Sequence, residues 1–167
     1  MAWIRSASKR IITIRTSREQ LHALLLDVVN CGRLMPGVDE LEKVGDDLYH
    51  YRLAPVSNGA VTFTPDYVAR FDTSDPDAIT WEPHGQHNFR TWGTFRVADG
   101  PVPGELTLQI DTRSEASVPV ASVVVILIEP FAKKESDQVT EGFLAAIASA
   151  VTSGEPAAAL GQQARAR

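Results

Sequence analysis

The segment VPVASVVVILIEPFAKKESDQVTEGFLAAIASAVT, residues 118–152, decides how the rest of the chain is read. Pro119 suits the first position of a helix, where a missing N–H costs nothing. Val120, Val124, Leu127 and Phe131 recur at helical spacing. Val139, Phe143, Ile147 and Val151 resume that spacing after the charged turn at residues 133–137. Pro130 removes one hydrogen bond of such a helix and crowds the preceding turn, which predicts a kink or break near residues 126–130. Unbroken, the segment would span roughly 50 Å at ~1.5 Å per residue. Gly154 followed by Pro156 would stop it. Residues 122–128 are largely β-branched and also read as a strand, because periodicity alone does not type a short apolar run.

Upstream, the pattern is mostly that of strands. Residues 1–7 read as a loose or weakly paired lead-in, with Trp3 and Ile4 free to dock on the body, and residues 8–15 as a first strand. Ser17 followed by Gln20 is a capping box, in which two side chains satisfy free N–H groups at a helix start reciprocally. Leu21, Leu24, Leu25 and Val28 would be that helix's buried stripe, and residues 31–35 a second short turn of helix stopped by Pro36-Gly37. Residues 38–44 and 48–54 form a hairpin about Gly45-Asp46-Asp47, and Ser57-Asn58-Gly59 marks a further turn. Residues 60–71 alternate throughout, with Val61, Phe63, Pro65, Tyr67, Ala69 and Phe71 on one face. Pro65 has no N–H to give a ladder, so this strand is expected at an edge or bulged. Ile79 and Trp81 carry a short strand, and residues 83–88 a polar loop. Two longer strands follow over residues 89–97 and 105–115, the first with Phe89, Thr91, Gly93, Phe95 and Val97 on one face, the second with Leu106, Leu108 and Ile110 facing inward.

Strands that are apolar on one face need a single cover, and only the C-terminal segment is long enough to provide it. The expected class is α+β, a helix-grip fold: a curved antiparallel sheet of about seven strands wrapped around a long C-terminal helix, with one or two short helices after the first strand. The domain is expected over residues 1–154. Residues 155–167, poor in bulky apolar side chains, are expected to be a disordered tail.

Composition narrows the function. A chain of 167 residues buries a core without staples, and its single cysteine, Cys31, forms no intrachain disulfide. Sixteen basic against 21 acidic residues leave a formal charge of −5, which argues against nucleic-acid binding. The sequence carries no apolar run of membrane-spanning length and no export signal, so stable membrane insertion is not expected and a cytoplasmic location is.

The element order resembles the START-like, or SRPBCC, superfamily, which includes the birch pollen allergen and polyketide cyclases. Leu34-Met35-Pro36-Gly37-Val38, Leu41-Glu42 and Gly45-Asp46-Asp47-Leu48-Tyr49 resemble its carbon monoxide dehydrogenase branch, the one named for the G component of that enzyme. Gly142-Phe143-Leu144 is similar to that branch's closing motif. Ala54-Pro55-Val56 departs from it where a glycine-proline pair is common, and residues 61–87 carry none of its signatures. The resemblance implies a deep cavity for an apolar or amphipathic molecule. It does not choose among cyclases, hydrolases, lipid carriers and assembly factors for a redox-enzyme complex.

The residues expected around such a cavity are Phe63, Tyr67, Trp81, Thr91, Phe95, Leu108 and Ile110 from the sheet, with Leu127 and Phe131 from the helix. Tyr67 is the polar group best placed to orient a ligand, by one hydrogen bond. Its alternative is a core tyrosine bonded to backbone. No catalytic set is expected. A cyclase or dehydratase would have to use Tyr67 with His50 or Thr91, and His50 reads more simply as an exposed strand residue. His84 and His87 lack further metal ligands in register, and no metal or cofactor is expected. Cys31 lacks an activating partner and reads as a small buried filler. Trp92 is expected to pack under arginine stems. The expected partner is a small hydrophobic or amphipathic ligand, and the state a monomer or homodimer.

Overall fold

The first strand starts earlier than the sequence suggests. In the computed structural model, which describes residues 1–153, β1 (Ala2–Arg15) pairs along its whole length with β9 (Glu105–Val118), from Ala2 opposite Val118 to Arg15 opposite Glu105. Residues 2–7 are thus fully paired, not loose or weakly paired, while Ile4 is docked as expected, buried together with Ala2. Their alternation is obscured in the sequence because the next inward positions are Ser6 and Ser8, polar residues on a buried face.

Two short helices follow, α1 (Arg18–Leu26) and α2 (Val28–Gly32). Ser17 Oγ accepts from the Gln20 N–H at 3.1 Å, but the Gln20 side chain accepts from Thr16 Oγ1 instead of returning to Ser17. Only half of the capping box forms. Asp27 ends α1 and caps α2, its carboxylate accepting from the Asn30 N–H.

The remaining strands are β2 (Val38–Gly45), β3 (Leu48–Leu53), β4 (Val56–Ser57), β5 (Thr62–Phe63), β6 (Asp66–Asp72), β7 (Ala78–His84) and β8 (Phe89–Asp99). Seven of the nine form one antiparallel sheet in the order β1-β9-β8-β7-β6-β3-β2, while β4 and β5 make a separate hairpin. In that hairpin Asn58 Oδ1 accepts from the N–H groups of Ala60 and Val61, and Gly59 takes φ +88°, a left-handed conformation costly for other residues. The alternating run 60–71 is therefore two strands, broken at Thr64-Pro65. Pro65 marks neither an edge nor a bulge. It lies before the start of β6, an interior strand between β3 and β7, and its carbonyl still accepts from the Leu53 N–H at 2.9 Å.

The cover is α3 (Ser122–Ser153), 32 residues long. It starts later than expected because β9 continues to Val118, leaving Pro119 in the connection. Residues 122–128 are helical, not a strand, and α3 passes through Pro130 without a break. The stop expected at Gly154 and Pro156, and the tail expected over 155–167, lie outside the described residues. α3 packs chiefly along β1.

The core falls into three clusters. The largest joins α1, the C-terminal half of α3 and the sheet around Ile14, Leu21, Leu108, Leu144 and Ile147. A second gathers Val28, Leu41, Tyr49, Tyr51, Tyr67 and Ala69. A third joins Ile4, Val118 and Ile128.

A candidate ligand cavity

A cavity of about 250 Å³ opens where the three clusters meet. Each contributes wall: Phe95, Ile110 and Phe143 from the first, Tyr51 and Tyr67 from the second, Ile4 and Ile128 from the third. The β4–β5 hairpin adds Val56, Val61 and Phe63. The sheet is the floor and α3 the roof, through Phe131, Ala132, Val139 and Phe143.

Of the nine residues expected at this site, Phe63, Tyr67, Trp81, Thr91, Phe95, Ile110 and Phe131 line the cavity. Leu108 and Leu127 do not. Leu108 faces inward but is wholly enclosed in the core, two residues along β9 from Ile110 and toward the end that α1 closes. Leu127 is 78 % exposed, and Ile128 beside it is 8 % exposed and on the wall. Between Val124 and Phe131, steps of three then four and of four then three both fit a helix, and the fold takes the second. Tyr51, Phe71 and Phe89 also line the cavity: alternation puts Phe71 and Phe89 on the inward faces and Tyr51 opposite His50, but it does not separate cavity wall from filled core.

Tyr51 and Tyr67 sit directly opposite each other across the β3–β6 ladder, with ring centroids 5.1 Å apart and planes 4° from parallel. They are 5 % and 4 % exposed. Burial is the main cause that pushes both phenols above the ordinary tyrosine range, so they stay neutral. Neither hydroxyl is hydrogen-bonded to another described residue, and the bonds nearby join His50 to Asp66 and Trp81 to Thr91. Phe89 tilts against Tyr67 at 5.0 Å, and Phe71 continues the stack beyond Tyr51 at 6.4 Å.

A second polar feature crosses the floor. Ser6, Ser114 and Thr91 lie in one transverse row over β1, β9 and β8, and all three line the cavity. Ser6 and Ser114 share a hydrogen bond of 2.8 Å, and Trp81 Nε1 donates to Thr91 Oγ1 at 3.2 Å. Thr91 is therefore already engaged by protein. Among the described residues Glu135 is the single charged side chain on the wall, and neither lysine, arginine nor histidine reaches it.

The histidines stand elsewhere. His50 Nε2 is 2.7 Å from Asp66 Oδ1 on the outer face of the sheet, opposite in direction to Tyr51 and Tyr67. Tyr67 and His50 are therefore not brought together for proton transfer. His22 Nε2 is 2.7 Å from Asp77, which also accepts from Arg18 at 2.7 Å. The bond to His22, followed by that to Arg18, holds the Asp77 carboxyl below the usual carboxylate range. His84 Nδ1 is 3.3 Å from an Arg70 nitrogen. Among the described residues no three His, Cys, Asp or Glu side chains are placed to hold one metal ion. Cys31 is buried in the first cluster, and burial, with the Asp27 charge as a lesser cause, pushes its thiol up to about 12. Trp92 packs under Arg113, at 4.3 Å, and Arg90 packs on Trp3, at 3.9 Å.

No family model matches the chain, and no curated protein matches it. Solved structures do. A START superfamily protein from Mycobacterium smegmatis superposes with a TM-score of 0.67 at 13 % identity, over 89 % of this chain and 99 % of that one. A Thermus thermophilus protein gives 0.65 at 15 % identity, over 91 % and 99 %. Norcoclaurine synthase from Thalictrum flavum, in complex with dopamine and hydroxybenzaldehyde, gives 0.61 at 11 % identity, over 92 % and 90 %. At these identities the likeness establishes the fold, which is the START-like helix grip. The carbon monoxide dehydrogenase branch is not singled out by it. No helix among the described residues is long and apolar enough to cross a membrane.

Proposed function

We propose that this START-like helix-grip chain binds a small apolar or amphipathic molecule between its sheet and α3. The supporting observation is the cavity itself: about 250 Å³ walled by aromatic and aliphatic side chains, with a few hydroxyls set inside. Apolar surface moved from water into it contributes roughly 25 cal/mol per Å². Of the same fold, norcoclaurine synthase holds dopamine and hydroxybenzaldehyde, both small ring compounds. Binding is favoured over turnover because the histidines lie outside the cavity, His50 being held by Asp66 on the outer face of the sheet.

The test is native mass spectrometry of freshly purified protein, followed by denaturing release. A discrete extra mass that leaves on denaturation is the expected result. Protein that is bare, and stays bare after exposure to fatty acids, quinones and polycyclic aromatics, would overturn the reading.

A further inference from the structure

Resting on that binding role, we infer that Tyr51 and Tyr67 form a two-donor subsite for a neutral, carbonyl-type oxygen carried by a planar aromatic ligand, and that the site rejects free carboxylates.

Buried polar groups are nearly always hydrogen-bonded, and each exception calls for an explanation. Two hydroxyls with no protein partner among the described residues, yet with surface left to the cavity, stand side by side here. Tyr51 and Tyr67 are neighbours across one ladder, so both side chains rise from the same face of the sheet with their rings stacked. Both side chains are more than nine-tenths buried, both line the cavity, and neither hydroxyl finds a partner among the described residues. Among the described residues the fully enclosed side-chain atoms without a partner are Arg33 Nε and Arg90 Nε, so both tyrosine oxygens keep some accessible surface, and both side chains line the cavity. Gly32 of α2 packs against the end of the Tyr51 ring, where an added Cβ would overlap Leu41 and stand 3.0 Å from the Tyr51 oxygen. A single oxygen with two lone pairs between the hydroxyls would satisfy both.

The wall chooses the oxygen's chemistry. A buried carboxylate needs a cation or several donors, and no basic side chain among the described residues lines this cavity, whereas Glu135 does. A neutral acceptor incurs no such cost. The remainder of the wall chooses the ligand's body. The rings form one continuous run of contacts, from Phe63 and Phe89 through the tyrosine pair, Phe71 and Trp81 to Phe95 and Phe143. Such walls offer flat faces and ring edges to a flat guest.

The experiment compares three probes of one skeleton, 9-fluorenone, fluorene and fluorene-9-carboxylate, by isothermal titration at neutral pH. Fluorenone is expected to bind at least roughly tenfold more tightly than fluorene, as two neutral hydrogen bonds in a dry site allow. The carboxylate is expected to bind more weakly than either. In Tyr51→Phe/Tyr67→Phe the fluorenone-to-fluorene ratio should fall to near one. Equal binding of fluorene and fluorenone by the native protein would overturn the subsite while leaving the binding role standing. So would a carboxylate that binds tightest, or a ratio that survives in the double variant. The comparison of probes on native protein needs no variant to fold. Absence of binding by all three would remove the subsite, and native mass spectrometry would then decide the binding role separately.

Discussion

The indole of Trp81 lies on the bare α-carbon of Gly93, its partner across the β7–β8 ladder. A Cβ at Gly93 would overlap the six-membered ring of that indole. The placement lets Trp81 lie between Phe71, at 5.7 Å, and Phe95, at 5.3 Å, while its Nε1 reaches Thr91. Gly93→Ala should force the ring off the sheet, break the bond to Thr91 and fill part of the cavity. The expected cost is about 1–3 kcal/mol, the range for overpacking a filled site. Urea unfolding measures it, and an unchanged midpoint would mean that the indole has room to move.

Side-chain alternation exposes most of this fold in the sequence, and the failures have physical causes. The inward face of residues 60–71 is readable because every second residue there is apolar, and Val61, Phe63, Pro65, Tyr67, Ala69 and Phe71 all reach the cavity. That the run is two strands is not readable from alternation, since the face persists across the break at Pro65. The N-terminal half of β1 is hidden because Ser6 and Ser8 point inward. Ser8 is buried and donates to Asp137 of α3 at 2.7 Å, a partner 129 positions away that no local pattern shows. The two stretches that carry the family resemblance do meet. Gly142 of α3 faces Pro36, where an added Cβ would stand 2.8 Å from the proline ring. Only half of the tyrosine pair is legible in the sequence, because the role of Tyr51 depends on which residue stands across the ladder.

The offset of one residue on α3 is testable in the same way. Leu127→Ser should leave stability within about 0.5 kcal/mol, as for other exposed positions. Ile128→Ala should cost about 2–4 kcal/mol, because Ile128 packs with Ile4 and Val118 beneath the helix. Thermal or urea unfolding of the two variants separates them. Equal losses would mean that α3 sits rotated from this orientation.

Cys31 should be inert in the native protein. Its thiol is buried and pushed up to about 12 by burial first and by Asp27 second. At pH 8 a disulfide reagent such as dithionitrobenzoate should react with it far more slowly than with the urea-unfolded chain, where the thiol titrates near ~8.5. The same displacement fixes the alkaline behaviour. The folded pKa lies above the unfolded one, so the contribution to stability is complete below about pH 8.5 and declines as pH rises toward the folded value. Tyr51 and Tyr67 act in the same direction. Denaturant midpoints should therefore fall above about pH 9. Rapid labelling of native protein at pH 8 would show that α2 opens readily.

Acid should act through the cluster that ties α1 to the sheet. Arg18 spans Asp77 and Asp99, and His22 shares Asp77. The Asp77 carboxyl is held below its usual range, first by the bond to His22 and then by that to Arg18. A carboxyl whose folded pKa is depressed stabilises the fold fully above its unfolded value, near ~3.9, and loses that contribution as pH falls through the folded value. Asp77 is partly exposed, so the pair energies are screened and Asp77→Asn should cost about 1 kcal/mol or less at pH 7. That difference should hold down to about pH 5 and vanish below the folded pKa. Asp72 and Asp137 are depressed as well, by Ser74 and by Lys133 with Ser8 respectively. They steepen the acid limb of native and variant protein alike, and subtracting one urea series from the other isolates Asp77. A difference that persists undiminished or grows below about pH 4, where an ordinary carboxyl is protonated, would mean that the ionised carboxylate does not stabilise this contact.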